Sequence, residues 1–153
     1  MYLLDTNIVS ELRRVRPHGA VIAWLRDIRD EDLHVAAEIL KGRHVHPDVR
    51  LYIAPASWEI YCQALSDKTL ETLVDAGAII ETASCGLCFG AHQGLLASDE
   101  NCIAAINRNF KGRMGSARAQ VYLASPATVA ASAVKGWIDD PREYAIKGED
   151  GIC

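Results

Sequence analysis

The sequence lacks any long hydrophobic run. The uncharged stretch at residues 121–134 is interrupted by Ser, Pro and Thr. This stretch falls short of the roughly 20 apolar residues that a membrane-spanning helix needs. The first residues have neither a basic region nor a long apolar segment, which predicts that there is no signal peptide. We therefore expect a cytoplasmic protein without a membrane partner.

An excess of positive charge is lacking as well. The chain has 16 Lys and Arg against 20 Asp and Glu, for a net charge of −4. This balance argues against a generally basic nucleic-acid-binding protein, although it permits a local basic site. Half of the 153 residues are hydrophobic, which excludes wholesale disorder. The length fits one domain with room for a small appendage.

The sequence contains five cysteines, which is an odd number. Without a signal peptide, an odd number argues against a disulfide framework and favours metal binding or simple burial. Two of the five, Cys85 and Cys88, form a C-x-x-C motif with Gly86 inside it and Gly90 just after it. Two such thiolates can bind one metal ion or two corners of an iron–sulfur cluster. A thioredoxin-like redox pair, half of a zinc site, and two buried small residues are the alternatives.

Turn residues and hydrophobic spacing divide the chain into helices and strands. Val21, Trp24, Leu25 and Ile28 have the i, i+3, i+4, i+7 spacing of a helix, and acidic residues from Asp30 open the next helix. Further helices are predicted after Ser57, after Asp67 and over residues 127–134, where Ser125 and Pro126 form the cap. Strands are predicted at residues 2–4, 49–54, 78–80, 102–106 and 121–124. This alternation predicts βαβ units and an α/β fold with a largely parallel sheet.

A loop is predicted at residues 107–118, and its first part, residues 107–116, holds three cations. It begins Asn107-Arg108-Asn109-Phe110 and continues through Arg113 and two glycines. Guanidinium groups are planar forks that match carboxylates in a bidentate manner, so the loop suits a di- or tricarboxylate or a phosphate. A solvated basic loop without a ligand is the simpler interpretation.

Residues 32–144 closely resemble the aconitase superfamily, and within it the large subunits of isopropylmalate dehydratase and homoaconitase-type enzymes. The matching stretches include AAEILKGRHVHPDVRLYIAPASWEIY, SCGLCFGAHQG, NRNFKGRMGS and VYLASPATVAASAVKGWIDDPREY. The resemblance implies a three-layer α/β fold with a mostly parallel sheet, formed by part of the third domain of such a subunit.

The resemblance also implies the chemistry of a [4Fe–4S] hydro-lyase that dehydrates and rehydrates a hydroxy di- or tricarboxylic acid, as in leucine biosynthesis. Cys85 and Cys88 match the second and third cluster ligands of the family. Asn107 matches a residue beside the cluster, and Arg108 and Arg113 match residues that bind substrate carboxylates. A small-subunit partner is implied as well.

Two departures from the family pattern predict an incomplete enzyme. The family's first cluster cysteine lies in a C-T-N-G/S-R stretch, but residues 28–31 hold no cysteine here. The long amino-terminal region of the family is also lacking, so we expect a large-subunit fragment that is inactive alone. Cys62 and Cys102 match no family ligand, and we expect both to be buried small residues. No role is assigned to Cys153.

Residues 1–31 resemble a different family. MYLLDTNIVSELRR, followed by Pro17, is similar to the start of a PIN-domain ribonuclease toxin. Under this alternative Asp5 would bind Mg²⁺ or Mn²⁺, although a helix cap is the simpler role. We therefore expect a PIN-like strand and helix grafted onto the aconitase-like residues 32–144, with residues 145–153 as a loose tail. A non-catalytic fusion remnant is the third possibility.

Overall fold

A computed structural model describes residues 21–28, 30–83, 93–106 and 108–144. The strand predicted at residues 2–4 and the tail at 145–153 lie outside these ranges.

The described chain forms a five-stranded sheet in which every strand is parallel to its neighbours. The order across the sheet is β3-β2-β1-β4-β5. The strands are β1 (Val21–Ile28), β2 (Val49–Pro55), β3 (Ile79–Ile80), β4 (Asn101–Ala104) and β5 (Gln120–Leu123). In the centre, Ala23 is in register with Leu51 on one side and Ile103 on the other. The predicted α/β class with a parallel sheet is confirmed.

The helix predicted over residues 21–28 is wrong, because this segment is the central strand of the sheet. β1 pairs with β2 along one side and with β4 along the other. A short apolar run cannot be assigned to a buried strand or to a helix by periodicity alone, and here the two neighbouring strands decide the matter. The first 31 residues thus supply a strand on which both halves of the sheet depend.

Within the described ranges, four α-helices accompany the strands. They are α1 (Asp30–Leu40), α2 (Trp58–Ser66), α3 (Thr69–Asp75) and α4 (Pro126–Lys135), and a 3₁₀ turn follows at Pro141–Glu143. The predicted caps Ser57 and Ser125 are confirmed, because the Ser57 hydroxyl accepts from the Ile60 N–H and the Ser125 hydroxyl accepts from the Thr128 N–H. These side chains satisfy backbone donors that a helix start leaves open. The cap predicted at Asp67 is wrong, because Lys68 holds the N-cap position of α3.

Hydrophobic residues form one cluster on each face of the sheet, because alternate residues of a strand point to opposite sides. All four helices pack on one face, in a cluster that includes Leu33, Leu51, Ile53, Leu73, Ile103 and Val129. The other face carries Tyr52, Cys102 and Ala104, which are covered by Leu96, Ile106 and Met114. Within the described ranges, this third layer is therefore made of loops rather than helices.

Candidate functional site

The strand order changes direction beside the central strand. The chain proceeds outward from β1 through β2 to β3, then returns to β4 on the other side of β1 and continues to β5. In open parallel sheets, ligands bind outside the carboxyl ends of the strands at such a switch point. The segment that leaves the carboxyl end of β4 contains Arg108, Asn109 and Arg113. We call residues 108–116 the arginine loop.

The end of the arginine loop is fixed to the strand-like segment around Leu96. The Leu96 N–H donates to the Met114 carbonyl at 2.8 Å, and the Ser116 N–H donates back to the Leu96 carbonyl at 2.9 Å. Gly115 lies between these bonds with φ +129°, and a Cβ there would come within 2.4 Å of the Leu96 carbonyl oxygen. Only glycine fits this approach without a shift of the backbone. The buried Met114 side chain completes the attachment.

The two arginines predicted to bind carboxylates are brought together within this loop. Nη1 of Arg113 donates to the backbone carbonyl oxygen of Arg108 at 2.8 Å. The Arg113 guanidinium also lies 5.9 Å from the ring centroid of Phe110. These contacts hold Arg113 in place, while Arg108 is exposed. Two guanidinium groups in one fixed loop provide a charged surface that suits carboxylates or phosphates.

Asn109 is a buried polar residue that the sequence analysis did not single out. The residue is 4% exposed, and neither its carboxamide oxygen nor its nitrogen has a hydrogen-bond partner among the described residues. Leaving such a group unsatisfied costs about 1–3 kcal/mol, so the position calls for an explanation beyond packing. The sequence motif N-R-N-F contains two asparagines and offers no local signal that separates Asn109 from Asn107.

Four other predicted site residues lie outside the described residues. They are Cys85, Cys88, Asn107 and Asp5. The segment with Cys85 and Cys88 follows β3 in the sequence, as the arginine loop follows β4.

Two further cysteines are described, and the structure places them in opposite environments. Cys102 is fully buried on β4, as expected, and burial raises the pKa of its thiol to about 12, with a smaller contribution from the charge of Glu100. The free thiol is therefore protonated at ordinary pH. The expectation that Cys62 is buried is wrong, because Cys62 is exposed on α2. The face of α2 that packs on the sheet is occupied by other residues.

Asp30, His34 and Asp67 bring three potential metal-ligating atoms within 4.8 Å of one another at the start of α1. Each already has a protein partner. His34 Nδ1 is 2.8 Å from the Asp30 carbonyl oxygen, and its Nε2 is 3.1 Å from Asp67 Oδ2. Gln63 donates to Asp30 at 2.8 Å. The contact with the Asp30 carbonyl, together with both carboxylates, raises the pKa of His34, so the group acts as a link between α1 and the α2–α3 turn.

Comparison with known proteins gives a consistent result. The model of the aconitase family (aconitate hydratase) matches residues 27–136. The chain is 58% identical over 136 residues to "3-isopropylmalate dehydratase large subunit 1" of Methanopyrus kandleri, which covers 89% of this chain and 32% of that protein. It is 50% identical to "3-isopropylmalate dehydratase large subunit 2" of Archaeoglobus fulgidus, covering 89% of this chain and 33% of that protein.

The large subunit of Moorella thermoacetica, which carries the same name without a number, is 48% identical and covers 91% of this chain and 33% of that protein. The chain thus spans about a third of the length of these relatives. The matches confirm the resemblance to the aconitase superfamily and give the ribonuclease alternative no support. A search of the described helices found none with the length and apolar character to cross a membrane.

Proposed function

The chain belongs to the aconitase family, and from this membership we propose that it is the carboxyl-terminal part of the large subunit of an iron–sulfur hydro-lyase. The proposed reaction is the dehydration and rehydration of a hydroxy dicarboxylic acid, with an isopropylmalate as the favoured substrate. The observation that carries the proposal is the pair Arg108 and Arg113 on one anchored loop at the switch point of the sheet. The similarity to dehydratase large subunits supports the choice of substrate.

The arginine loop suits the substrate proposed. A hydroxy dicarboxylate carries two carboxylates, and each can accept two parallel hydrogen bonds from a guanidinium. One N–H of Arg113 donates to the Arg108 carbonyl, and the other N–H groups of the guanidinium can donate to a ligand. In this proposal both arginines bind and orient the substrate, while Asn107 donates a hydrogen bond beside the cofactor. The loop anchors at Leu96 and Gly115 keep this arrangement fixed before the ligand binds.

The cofactor proposed is a [4Fe–4S] cluster, with Cys85 and Cys88 as its ligands from this chain. When bound, such a cluster supplies a Lewis acid for the substrate hydroxyl and carboxylate. The buried carboxamide of Asn109, which lies between the two arginines in the sequence, has no hydrogen-bond partner among the described residues. A bound polar group in this site would supply one. A third cysteine ligand has no candidate in the described chain, since Cys102 is buried in the apolar cluster on the loop side of the sheet and Cys62 is exposed on α2. We therefore propose that the catalytic centre needs residues beyond this chain, including those of a small-subunit partner.

The proposal is tested by binding rather than by turnover. Calorimetric titration of the chain with isopropylmalate is compared with titration by lactate, which has one carboxylate and a hydroxyl. The expected result is that the dicarboxylate binds at least about tenfold more tightly, because a second charge-assisted contact contributes roughly 1.5–3 kcal/mol. Equal affinities, or no binding of either acid, would remove the carboxylate site. Dehydration by the chain alone would contradict the incomplete centre.

A further inference from the structure

His34 on α1 contacts an oxygen atom with each of its two ring nitrogens. Nδ1 lies 2.8 Å from the backbone carbonyl oxygen of Asp30, and Nε2 lies 3.1 Å from Oδ2 of Asp67. A carbonyl oxygen and an ionised carboxylate only accept hydrogen bonds, whereas a neutral imidazole has a single N–H to donate. Both contacts are therefore hydrogen bonds only when the ring carries two protons and a positive charge.

The groups that touch the ring favour this cation. Asp67 is ionised in the neutral range, because hydrogen bonds from the side chain and the backbone N–H of Thr69 lower the pKa of its carboxyl group. Oδ1 of Asp30 lies 3.7 Å from His34 Nδ1 and is buried without a hydrogen-bond partner among the described residues. The hydrogen bond to the Asp30 carbonyl raises the pKa of His34 most, both carboxylates raise it further, and partial burial opposes them.

The helices around this group add little positive charge. Helices α2, α3 and α4 all pack against α1, and residues 30–40, 58–75 and 126–135 contain only two cations besides His34. Lys68 lies 3.7 Å from Glu71, and Lys135 lies 3.8 Å from Asp139, so each is paired with a carboxylate. The acidic residues of the same segments, besides Asp30 and Asp67, are Glu31, Asp32, Glu38, Glu59, Glu71 and Asp75. This excess of negative charge also favours a protonated ring.

We propose that Asp30, His34 and Asp67 form a proton-dependent link between α1 and the α2–α3 turn, and we call these three residues the His34 link. While the ring is a cation, it holds residues 63–69 against the first turn of α1. When the proton leaves, one ring nitrogen presents a lone pair to an oxygen, and that contact becomes repulsive. The aliphatic side chains that pack beneath these helices do not titrate, so the change is confined to the turn. The His34 link does not depend on the function proposed above.

Urea unfolding of wild type and Asp67→Asn tests the link through its pH dependence. A histidine whose pKa rises on folding contributes stability that is complete below its unfolded pKa of about 6.5 and is lost as the pH rises through its folded pKa. Asn keeps an oxygen that can accept from the Thr69 N–H, but it has no charge. With EDTA present, Asp67→Asn should lower the urea midpoint at about pH 5.5 at least about twice as much as at about pH 9.

The matched control for this comparison is Asp99→Asn. Asp99 pairs with Arg118 at 3.3 Å, and an arginine stays charged across this pH range. The effect of Asp99→Asn on the urea midpoint should therefore be the same at both pH values. An effect of Asp67→Asn that does not change with pH, or an equal change in the control, would overturn the proposal.

NMR of the ring nitrogens measures the protonation of His34 directly. In the ¹⁵N-labelled full chain, the His34 signals are identified by their loss in His34→Gln. The titration midpoint of His34 should lie above its midpoint in the urea-unfolded chain, and it should fall in Asp67→Asn. A midpoint at or below that of the unfolded chain, or one that Asp67→Asn leaves unchanged, would overturn the proposal.

Amide hydrogen exchange shows whether the turn itself is released. Protection factors, corrected for the intrinsic pH dependence of exchange, should fall severalfold more for residues 63–69 than for residues 126–135 between about pH 5.5 and about pH 9. In Asp67→Asn this difference between the two segments should disappear. An equal fall in both segments of the wild-type chain would show a general loss of stability and would contradict a link confined to the turn.

Discussion

Arg113 holds the backbone of Arg108, because its Nη1 donates to the Arg108 carbonyl oxygen at 2.8 Å. One arginine of the pair thus fixes the segment that carries the other. Both follow the carboxyl end of β4, next to the strand at which the sheet order reverses. A ligand that binds this loop therefore meets a backbone segment that is already ordered, which lowers the entropic cost of binding.

Arg113→Lys should weaken binding of isopropylmalate by about tenfold or more. Lys keeps the positive charge but lacks the planar fork, so it cannot bind a carboxylate with two parallel bonds and also donate to the Arg108 carbonyl. The measurement is a calorimetric titration of both proteins. The matched control is Arg118→Lys, since Arg118 is an exposed arginine paired with Asp99. Equal losses in the two variants would show that replacing any exposed arginine has this effect, and that Arg113 makes no specific contact with the ligand.

Asn109→Leu should stabilise the ligand-free chain by about 1 kcal/mol while weakening its binding of isopropylmalate. Leu fills a similar volume and removes a buried carboxamide that has no hydrogen-bond partner. Urea unfolding gives the change in stability, and titration gives the change in affinity. A destabilised Asn109→Leu protein would show that the carboxamide is already satisfied in the folded chain, and a stabilised variant with unchanged affinity would show that it does not serve the site.

Gly115→Ala should destabilise the chain by about 1–3 kcal/mol, the usual cost of a strained backbone position. The added Cβ would come within 2.4 Å of the Leu96 carbonyl oxygen at a φ of +129°. The bonds from Leu96 that anchor the arginine loop should weaken with it, so binding of isopropylmalate should fall as well. Urea unfolding and titration check both effects, with Ala117→Ser at an exposed position as the control. Unchanged affinity in Gly115→Ala would show that the attachment of the loop to Leu96 does not affect ligand binding.

Cys102 should resist alkylation that readily modifies Cys62. Its pKa of about 12 leaves only about one thiol in ten thousand ionised at pH 8, and the residue is buried as well. Because the pKa is raised, the thiol stays protonated throughout the neutral range and ionises only in strong alkali. Iodoacetamide labelling followed by peptide mass spectrometry, in native chain and in urea, measures the difference. Similar native labelling of both cysteines would contradict the buried position.

Much of the fold could be predicted from local signals. Ser57 and Ser125 cap their helices as the sequence indicates, because a cap depends on the few residues around it. The strands at Val49–Pro55 and Ile79–Ile80 were also predicted closely. The motif with Arg108 and Arg113 identified the loop, and the structure brings the two together.

Other features depend on contacts that lie far apart in the sequence. Val21–Ile28 has helical spacing, yet pairing with both β2 and β4 makes it a strand. Cys62 has the character of a core residue, but Ala64 takes the buried position on α2. Asn109 is buried while its neighbours in the loop are exposed, and nothing in the sequence indicates this difference. These outcomes are decided by tertiary packing, which a single sequence does not display.

The most direct test of the account is anaerobic reconstitution with iron and sulfide, with the iron and sulfide content measured per chain. Wild-type chain is compared with Cys85→Ser, and Cys62→Ser serves as the matched control. Ser at position 85 removes one of the two thiolates proposed to hold iron. Dithiothreitol in the reconstitution supplies the thiol ligands that this chain lacks. Under these conditions the account predicts that the wild-type chain takes up iron and sulfide, that Cys85→Ser loses them, and that Cys62→Ser retains them. Equal iron and sulfide content in wild type and Cys85→Ser would contradict it.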